Sequence, residues 1–183
     1  PGLDETLFEH DGQITKREVR ALTLAALAPR RGELLWDIGA GSGSVAIEWM
    51  LADPSLRAIA VEANPERATR IVRNMVACGV PDLRVVVDRA PAALHTLEPP
   101  DAIFVGGGGS DPGVMDAAIS GLRPGGRIVA NAVTLEMEAL LLQLHGKMGG
   151  SLTRVALSRA DPIGTMTGWR PALPITQWAW TKS

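Results

Sequence analysis

The stretch WDIGAGSGSVAIEW (residues 36–49) places three glycines within five positions, between an apolar segment and a helix-like segment. The apolar segment, residues 34–38, is short and ends at a glycine, which is typical of a strand buried on both faces of a parallel sheet. Residues 44–51 predict a helix. Because glycine lacks a Cβ, such a turn brings backbone N–H groups and a helix N-terminus close to a ligand. The stretch therefore predicts an α/β fold with a ligand site at the glycine turn.

Short apolar runs alternate with helix-like segments over most of the chain. Further strands are predicted at residues 58–61, 83–87, 102–105 and 127–132. Helices are predicted between them at residues 64–78, 92–97, 111–122 and 135–147. Asn64 and Asp111, each followed by proline, are predicted to cap their helices. One more helix precedes the glycine stretch, where Thr15 and Glu18 form a T-x-x-E capping box.

The pattern changes towards the end of the chain. Residues 152–157 and 174–180 predict two strands with no helix between them. Adjacent antiparallel strands need no crossover helix, whereas parallel strands do. We therefore predict a doubly wound, Rossmann-like α/β fold, with a seven-stranded, mostly parallel sheet and a C-terminal antiparallel hairpin. The loop at residues 158–174 is expected to lie over the carboxyl ends of the strands, and residues 1–183 are interpreted as one domain.

Composition limits the classes of function. The chain has 183 residues, 46% of them hydrophobic, and a formal net charge of −2, which argues against binding to nucleic acid mainly through phosphate contacts. The single cysteine, Cys78, excludes an internal disulfide and leaves no cysteine pair for zinc, so no metal site is predicted. Neither a signal peptide nor an apolar run near the length of a membrane span is recognised. These features predict a cytoplasmic protein that binds neither nucleic acid nor membrane.

The spacing of the glycines discriminates between cofactors. A dinucleotide-binding turn follows G-x-G-x-x-G or G-x-G-x-x-A, which requires Gly or Ala where this chain has Ser44. The D-x-G-x-G-x-G pattern of residues 37–43 instead resembles the first motif of class I S-adenosylmethionine-dependent methyltransferases. Glu62 ends the second strand, where that family has the acidic residue that accepts hydrogen bonds from the ribose hydroxyls. The predicted C-terminal hairpin is a further feature of the family.

The resemblance implies a set of residues around S-adenosylmethionine. They come from the segment before the first helix, the glycine turn, the end of the second strand, and the segments after the third and fourth strands. The predicted cofactor-binding residues are Thr15, Asp37, Gly39, Ala40, Gly41, Gly43, Ser44, Glu62, Ala63, Ala90, Gly106 and Gly107. The product left by methyl transfer would be S-adenosylhomocysteine.

Three other segments narrow the family. FEHDGQITKR (residues 8–17), VDRAPAAL (residues 87–94) and FVGGGGSDP (residues 104–112) together resemble the decarboxylating precorrin methyltransferase domains of cobalamin (vitamin B12) biosynthesis. That resemblance implies methylation of a meso carbon, C15, of a precorrin, with loss of carbon dioxide from an acetate side chain. It also implies that the polypeptide has an N-terminal tetrapyrrole methylase domain. This chain, beginning at Pro1, would then be the C-terminal half of that polypeptide. Stand-alone relatives form tetramers, so a homo-oligomer is expected.

Two segments depart from related patterns. Stand-alone relatives often carry G-D-A-P where this chain has D-R-A-P, residues 88–91. An acidic contact with the cofactor is therefore not expected at Arg89, while Ala90 remains a backbone contact for adenine. The glycine run, residues 106–109, does not match the N-P-P-Y signature of methyltransferases that act on nucleobase amines. Two alternatives stay open: a methyltransferase for a nucleobase or another small molecule, and a non-catalytic S-adenosylmethionine-binding module.

Candidate catalytic and substrate-binding residues lie outside the glycine turn. His10 and Asp11 are candidate acids or bases, and Arg159 is a third candidate catalytic residue. Arginines suit the carboxylates of a precorrin, and the glycine run allows a flat macrocycle to come close to the cofactor. A solvated surface position is the alternative for the arginines, and burial beneath the loop is the alternative for Trp169. The predicted substrate-binding residues are Gly108, Gly109, Trp169 and Arg170.

Overall fold

The computed structural model describes residues 1–183 and places five helices around a seven-stranded sheet. The strands of the sheet are β1 (Leu34–Ile38), β2 (Arg57–Glu62), β3 (Arg84–Val87), β4 (Ala102–Val105), β5 (Arg127–Ala132), β6 (Ser151–Val155) and β9 (Ile175–Thr181). A separate two-stranded sheet consists of β7 (Ser158–Ile163) and β8 (Met166–Pro171). The helices are α1 (Arg17–Leu27), α2 (Ser44–Leu51), α3 (Pro65–Ala77), α4 (Val114–Gly121) and α5 (Leu135–Met148), with short 3₁₀ turns at Glu5–Leu7 and Ala92–Thr96. None of the helices combines the length and the apolar character needed to cross a membrane.

The order of the strands in the sheet is β3-β2-β1-β4-β5-β9-β6. Strands β1 to β5 pair in parallel, whereas β9 is antiparallel to both of its neighbours, β5 and β6. From β1 the chain adds β2 and β3 on one side and then crosses over to add β4 and β5 on the other side. The boundary between β1 and β4 is therefore the switch point at which α/β proteins bind ligands. The predicted doubly wound, seven-stranded, mostly parallel sheet with a C-terminal antiparallel pair is therefore confirmed.

The two faces of the sheet bury separate apolar layers. Helices α1, α2 and α3 cover one face, where Leu24, Ile47 and Ile71 pack against strand residues such as Phe104. The turn Ala92–Thr96 and helices α4 and α5 cover the other face. All five residues of β1 and all four residues of β4 are buried, because parallel strands between two helical layers have no solvent face.

The start of α1 differs from the prediction. Its N-cap is Lys16, which makes no side-chain cap hydrogen bond, so the predicted capping box of Thr15 and Glu18 is wrong. The carbonyl of Thr15 instead accepts a hydrogen bond from Nη1 of Arg20 at 2.6 Å. Arg20 is fully buried, so a buried side chain from the first turn of the helix binds the carbonyl before its start.

The other two predicted caps have opposite outcomes. Asn64 Oδ1 accepts hydrogen bonds from the backbone N–H groups of Glu66 and Arg67, as predicted for the N-cap of α3. Helix α4 begins later than predicted, with Gly113 as its N-cap, so Asp111 does not cap it. Gly113 has φ 80°, a left-handed conformation that glycine adopts without steric strain.

The segment between β6 and β9 is not the predicted loop. It forms the antiparallel pair β7–β8, in which Arg159 lies opposite Arg170. The sequence concealed these strands because Pro162, Gly168 and Pro171 are residues that usually signal turns.

Candidate functional site

A cavity of about 510 Å³ opens at the carboxyl ends of the parallel strands. Residues 12–16, which precede α1, form one side of it. We call the part lined by the glycine turn, Glu62, Ala63 and residues 88–90 the β2 end of the cavity. The opposite part, the β9 end, is lined by Asn131, Val133, Val155, Leu157, Arg159, Ala172, Leu173 and Ile175. The glycine run after β4 lies in the wall between the two ends.

The glycine turn is held by the neighbouring strand and leaves no room for side chains. The backbone N–H groups of Gly39 and Ala40 donate to the carbonyl of Val61 at 2.9 and 3.2 Å. Gly39 has φ 69°, and a Cβ at this position would collide with the carbonyl oxygen of Gly107. The turn after β1 and the run after β4 therefore approach each other through their backbones, and a ligand beside them meets main-chain atoms.

Glu62 joins the end of β2 to the glycine turn. Its side chain lines the cavity, and the residue is only 6% exposed. Oε2 accepts a hydrogen bond from the backbone N–H of Gly41 at 2.8 Å, and Oε1 accepts one from the backbone N–H of Asn64 at 2.9 Å. Each carboxylate oxygen retains a further lone pair, so Glu62 can brace the turn and also accept hydrogen bonds from ligand hydroxyls.

Asp37 lies beneath the glycine turn and does not line the cavity. Its buried Oδ2 accepts a hydrogen bond from the backbone N–H of Ala46 at 3.1 Å, while its Oδ1 has no hydrogen-bond partner. Burial raises the pKa of the Asp37 carboxyl to about 7; the charge of Glu62 adds to the shift, and the N–H of Ala46 opposes it. Gly43 and Ser44, at the start of α2, also lie outside the cavity. The structure thus places Asp37, Gly43 and Ser44 outside the cavity, where the turn joins β1 and α2.

The candidate residues before α1 fall into two groups. Thr15 lines the cavity, whereas His10 and Asp11 do not. Nδ1 of His10 accepts a hydrogen bond from the backbone N–H two residues further along, at 3.0 Å. Asp11 is ion-paired with Arg67 at 3.0 Å and with Arg70 at 2.8 Å, and these guanidinium groups hold the pKa of its carboxyl well below the usual range. A carboxylate kept ionised in this way is a poor proton donor, so the geometry disfavours Asp11 as a catalytic acid.

The predicted glycine run is divided by its packing. Gly106, Gly107 and Gly108 line the cavity, and Ala90 lines it from the segment after β3. Gly109 does not line the cavity. A Cβ at this position would lie 2.6 Å from the Cε atom of Met137 in α5. Gly109 therefore allows α5 to pack closely, and the other three glycines provide the main-chain surface facing the cavity.

The predicted residues of the last segment also separate. Arg159, on β7, lines the β9 end of the cavity and forms an ion pair with Glu18 of α1. Trp169 and Arg170, on β8, do not line the cavity. Trp169 is 76% exposed, so it is not buried beneath a loop, and Nε of Arg170 lies 2.9 Å from the carboxylate of Asp161. Only Arg159 is brought to the site, while the other two lie on the outer part of the hairpin.

Several cavity residues were missed by reasoning from the sequence. Asn131 is near the carboxyl end of β5, a position where α/β proteins place functional groups, and this was the available signal. Leu157 and Leu173 flank the β7–β8 pair, which the sequence did not reveal as strands. Arg89 also lines the cavity. In the sequence it stood out only because D-R-A-P, residues 88–91, departs from the G-D-A-P of stand-alone relatives.

The β2 end of the cavity fits a nucleoside cofactor. Gly39 and Gly41 offer backbone atoms, Ala63 and Ala90 offer small apolar side chains, and Glu62 offers a charged acceptor for hydroxyl groups. Within residues 1–183, no group of three or more His, Cys, Asp or Glu side chains is arranged to hold a metal ion.

Comparison with known sequences gives the family. Residues 6–182 match the family model described as a precorrin methyltransferase domain. The precorrin-6Y C(5,15)-methyltransferase (decarboxylating) of a Sinorhizobium species is 68% identical over 181 residues, which cover 99% of this chain and 44% of that protein. The probable cobalt-precorrin-6B C(15)-methyltransferase (decarboxylating) of Pyrobaculum calidifontis is 35% identical over 189 residues, which cover 98% of this chain and 96% of that protein. The chain therefore spans less than half of the first relative and nearly all of the second.

Solved structures agree with this result. The C-terminal domain of precorrin-6Y C5,15-methyltransferase from Rhodobacter capsulatus has a TM-score of 0.93 at 53% identity, covering 100% of this chain and 98% of that chain. A tRNA (m1A58) methyltransferase from Aquifex aeolicus has a TM-score of 0.72 at 14% identity, covering 100% and 77%, which is a likeness of fold alone. The resemblance drawn from the three sequence segments is confirmed, and the chain belongs to the family of precorrin methyltransferase domains.

Proposed function

We propose that this chain uses S-adenosylmethionine to methylate C15, a meso carbon, of a precorrin and that it removes carbon dioxide from an acetate side chain of the same substrate, in cobalamin biosynthesis. The observation that carries the proposal is that the Glu62 carboxylate and the backbone of Gly39 and Gly41 face one cavity in a member of the precorrin methyltransferase family. The two relatives described above are named for decarboxylating methyltransferases acting on this class of substrate.

The β2 end of the cavity is the proposed cofactor site. Glu62 would accept hydrogen bonds from the two ribose hydroxyls, Gly39 and Gly41 would pack against the methionine portion, and Ala90 would contact the adenine. Asp37 acts from below, because its bond to the N–H of Ala46 ties the start of α2 to the end of β1. When bound, S-adenosylmethionine supplies an electrophilic methyl group.

Methyl transfer is an in-line displacement, so the main task of the chain is positioning. The acceptor carbon has to be held about 3–3.5 Å from the methyl carbon. Gly106, Gly107 and Gly108 lie between the two ends of the cavity and allow a flat macrocycle to approach. The new carbon–carbon bond uses an electron pair of the tetrapyrrole, and the pair of the broken carbon–sulfur bond remains on sulfur. A bound macrocycle would cover the exposed apolar side chains of Val133 and Leu173 at the β9 end and displace water from them.

Decarboxylation requires a place for an electron pair and then a proton. The conjugated macrocycle would take up the electron pair left when carbon dioxide departs and would return it to the remaining carbon as that carbon gains a proton from water. The substrate carboxylates need cations, and four line the cavity: Lys16, Arg67, Arg89 and Arg159. Three of them are already ion-paired, with Glu5, Asp11 and Glu18 respectively. Arg89 has no ion-pair partner within the chain, so it is the cation most available to a substrate carboxylate.

The partners are proposed on the same basis. The Sinorhizobium relative is more than twice as long as the region it shares with this chain, which supports an N-terminal tetrapyrrole methylase domain in the same polypeptide. The β7–β8 pair exposes Ile163, Met166 and Trp169 by 64%, 76% and 76%, which supports self-association into a homo-oligomer such as a tetramer. A cytoplasmic location is proposed together with the biosynthetic role.

Incubation of the chain with S-adenosylmethionine and the precorrin, followed by mass spectrometry, tests the proposal. A product heavier by one methyl group and lighter by carbon dioxide is expected, and Glu62→Ala should form it more slowly at low cofactor concentration. Methyl transfer to RNA instead would support a nucleobase methyltransferase. Tight binding of S-adenosylmethionine with no turnover of the precorrin would support a non-catalytic binding module.

A further inference from the structure

Asn131 is the single uncharged polar residue in the wall of the β9 end of the cavity. The other residues of this wall are Val133, Val155, Leu157, Ala172, Leu173 and Ile175, which are apolar, and the charged Arg159. Asn131 is the fifth residue of β5 and is half-buried. A polar group set into an apolar wall is costly to desolvate unless it finds a hydrogen-bond partner. The partners of Asn131 therefore show which of its groups is available to a ligand.

Two buried side chains fix the orientation of the Asn131 carboxamide. Its Nδ2 donates to Oγ1 of Thr23 at 2.9 Å, and its Oδ1 accepts from Nε2 of Gln177 at 2.9 Å. Gln177 Nε2 also donates to Thr23 Oγ1 at 3.2 Å, which closes the cluster. Thr23 is fully buried, and Gln177 is 8% exposed.

This cluster opposes a flip of the Asn131 carboxamide by itself. A flipped Asn131 would set its own N–H groups against the Nε2 donor of Gln177 and leave a buried donor without an acceptor. Gln177 lies directly opposite Asn131 in the antiparallel ladder between β9 and β5, and its Nε2 bonds to both Asn131 and Thr23. Helix α1 supplies Thr23 from the same face of the sheet. Three elements therefore cooperate to hold one side-chain amide.

The fixed amide has a hydrogen-bond donor to spare. A carboxamide nitrogen carries two N–H groups, and Thr23 is the acceptor for one of them. No other side chain or carbonyl of the protein accepts the second N–H, while Asn131 lines the cavity. Oδ1 is occupied by Gln177, so the group offered to a ligand is a donor.

We propose that Asn131 is a substrate-positioning residue that donates this second Nδ2–H to an oxygen or an unprotonated nitrogen of the tetrapyrrole. Thr23 and Gln177 are positioning residues that act through Asn131 and do not touch the substrate. The identity of the ligand rests on the proposed function, whereas the oriented donor is a feature of the chain. With apolar walls around it, one directional hydrogen bond sets the rotation of a flat, otherwise apolar ring face in the cavity.

Steady-state kinetics with the precorrin, at saturating S-adenosylmethionine, test the inference. Asn131→Ala should lower kcat/KM for the precorrin by about tenfold, because one hydrogen bond to the substrate is lost. Thr23→Val should lower it by a smaller factor, about threefold, because the donor remains but is less well oriented. The affinity for S-adenosylhomocysteine, measured by calorimetry, should be unchanged in both variants. Gln143→Ala, which removes an exposed carboxamide from α5, is the matched control and should leave every value unchanged.

Asn131→Asp separates a donor role from simple packing. The ionised aspartate offers only acceptors, so its kcat/KM should fall below that of Asn131→Ala at pH 8. As the pH falls and the carboxyl gains a proton, it donates again, and the activity relative to the unmutated chain at the same pH should rise. Once the carboxyl is protonated the added charge is gone, so a kcat/KM that then rises above that of Asn131→Ala supports the donor role. A value that stays at the level of Asn131→Ala would contradict it.

The inference is overturned if Asn131→Ala retains the kcat and KM of the unmutated chain, or if it loses affinity for S-adenosylhomocysteine to the same extent as for the precorrin. Absence of turnover by the unmutated chain is a different result, since it would contradict the proposed function. In that case the precorrin is titrated by calorimetry against the unmutated chain and Asn131→Ala, each saturated with S-adenosylhomocysteine. Equal dissociation constants for the two proteins would overturn the role of Asn131, and weaker binding to the variant would support it.

Discussion

The carboxylate of Glu62 accepts a hydrogen bond from the backbone N–H of Gly41 at 2.8 Å, so the end of β2 holds the glycine turn that follows β1. The same carboxylate accepts a hydrogen bond from Asn64, which caps α3. The charged group that faces the proposed cofactor is therefore part of the scaffold as well. Removing it should affect both the ligand and the turn.

Glu62→Ala should weaken the binding of S-adenosylhomocysteine by about 1–3 kcal/mol, because two ribose hydroxyls lose a charged acceptor. Glu62→Gln is the matched control, since it keeps one acceptor oxygen and nearly the same shape, and it should have an intermediate affinity. Isothermal titration calorimetry measures both effects. An unchanged affinity in Glu62→Ala would remove Glu62 from the cofactor site.

Gly39→Ala should destabilise the fold more than an equivalent change at Gly79. Both glycines have a left-handed backbone, with φ 69° and 80°, so an added side chain is strained at either position by about 1–2 kcal/mol. Only at Gly39 would the new Cβ also collide with backbone, at Gly107, whereas Gly79 has open space around it. The collision should add about 1–3 kcal/mol, measured by urea unfolding. Equal losses of unfolding free energy in the two variants would show that the segments at Gly39 and Gly107 can move apart without cost.

Asp37 should make stability fall as the pH rises. The pKa of its carboxyl is about 7 in the folded chain, against an ordinary value of 3.8, so between about pH 4 and pH 7 the folded state binds more protons than the unfolded state. Stability therefore declines through this window, and Asp37→Asn should remove that decline. The difference in unfolding free energy between the unmutated chain and the variant should change by up to about 4 kcal/mol from pH 4 to pH 8. A constant difference across urea titrations at these pH values would contradict the shift.

The buried ion pair between Arg20 and Glu48 should stabilise the segment before α1, which forms one side of the cavity. These side chains are 0% and 2% exposed, and Glu48 also accepts a hydrogen bond from the backbone N–H of Leu3 at 2.9 Å. Glu48→Ala would leave a buried guanidinium unpaired and should cost about 3–5 kcal/mol in unfolding free energy. Glu98→Ala breaks an exposed pair with Arg57 and should cost no more than about 1 kcal/mol. Similar losses in the two variants, measured by chemical unfolding, would contradict this account.

Arg89 lies at the β2 end, where the proposed cofactor binds, so Arg89→Ala can affect both ligands. We expect it to raise the KM for the precorrin about tenfold and to change the affinity for S-adenosylhomocysteine less. Arg89 lines the cavity without an ion-pair partner, so a substrate carboxylate would be its first charged contact, and such a bond is worth about 1.5–3 kcal/mol. Arg170→Ala is the control, because Arg170 lies outside the cavity and is paired with Asp161. Steady-state kinetics in low salt measure the difference. Equal KM values for Arg89→Ala and Arg170→Ala would exclude Arg89 from substrate binding.

The central sheet and the cofactor region could be predicted from the sequence because their signals are local. The strands β1 and β4 are continuous apolar runs, and this pattern arises wherever both faces of a parallel strand are covered. Gly39, Gly41 and Glu62 could be placed because a strand, a turn and the end of the next strand have a fixed order along the chain. The three segments that indicated the family are also contiguous in sequence.

The rest depended on contacts between distant parts of the chain. Asn131 acquires its orientation from Thr23 and Gln177, which are 108 and 46 positions away, and no periodicity or local motif encodes such a contact. Asp11 is held ionised by arginines of α3, and Arg20 at the start of α1 is held by the buried Glu48 of α2. The sequence by itself therefore determined the sheet, the family and several residues that line the β2 end of the cavity. Only the tertiary structure decided which side chains line the β9 end of the cavity, because a side chain's direction is set by the elements packed against it.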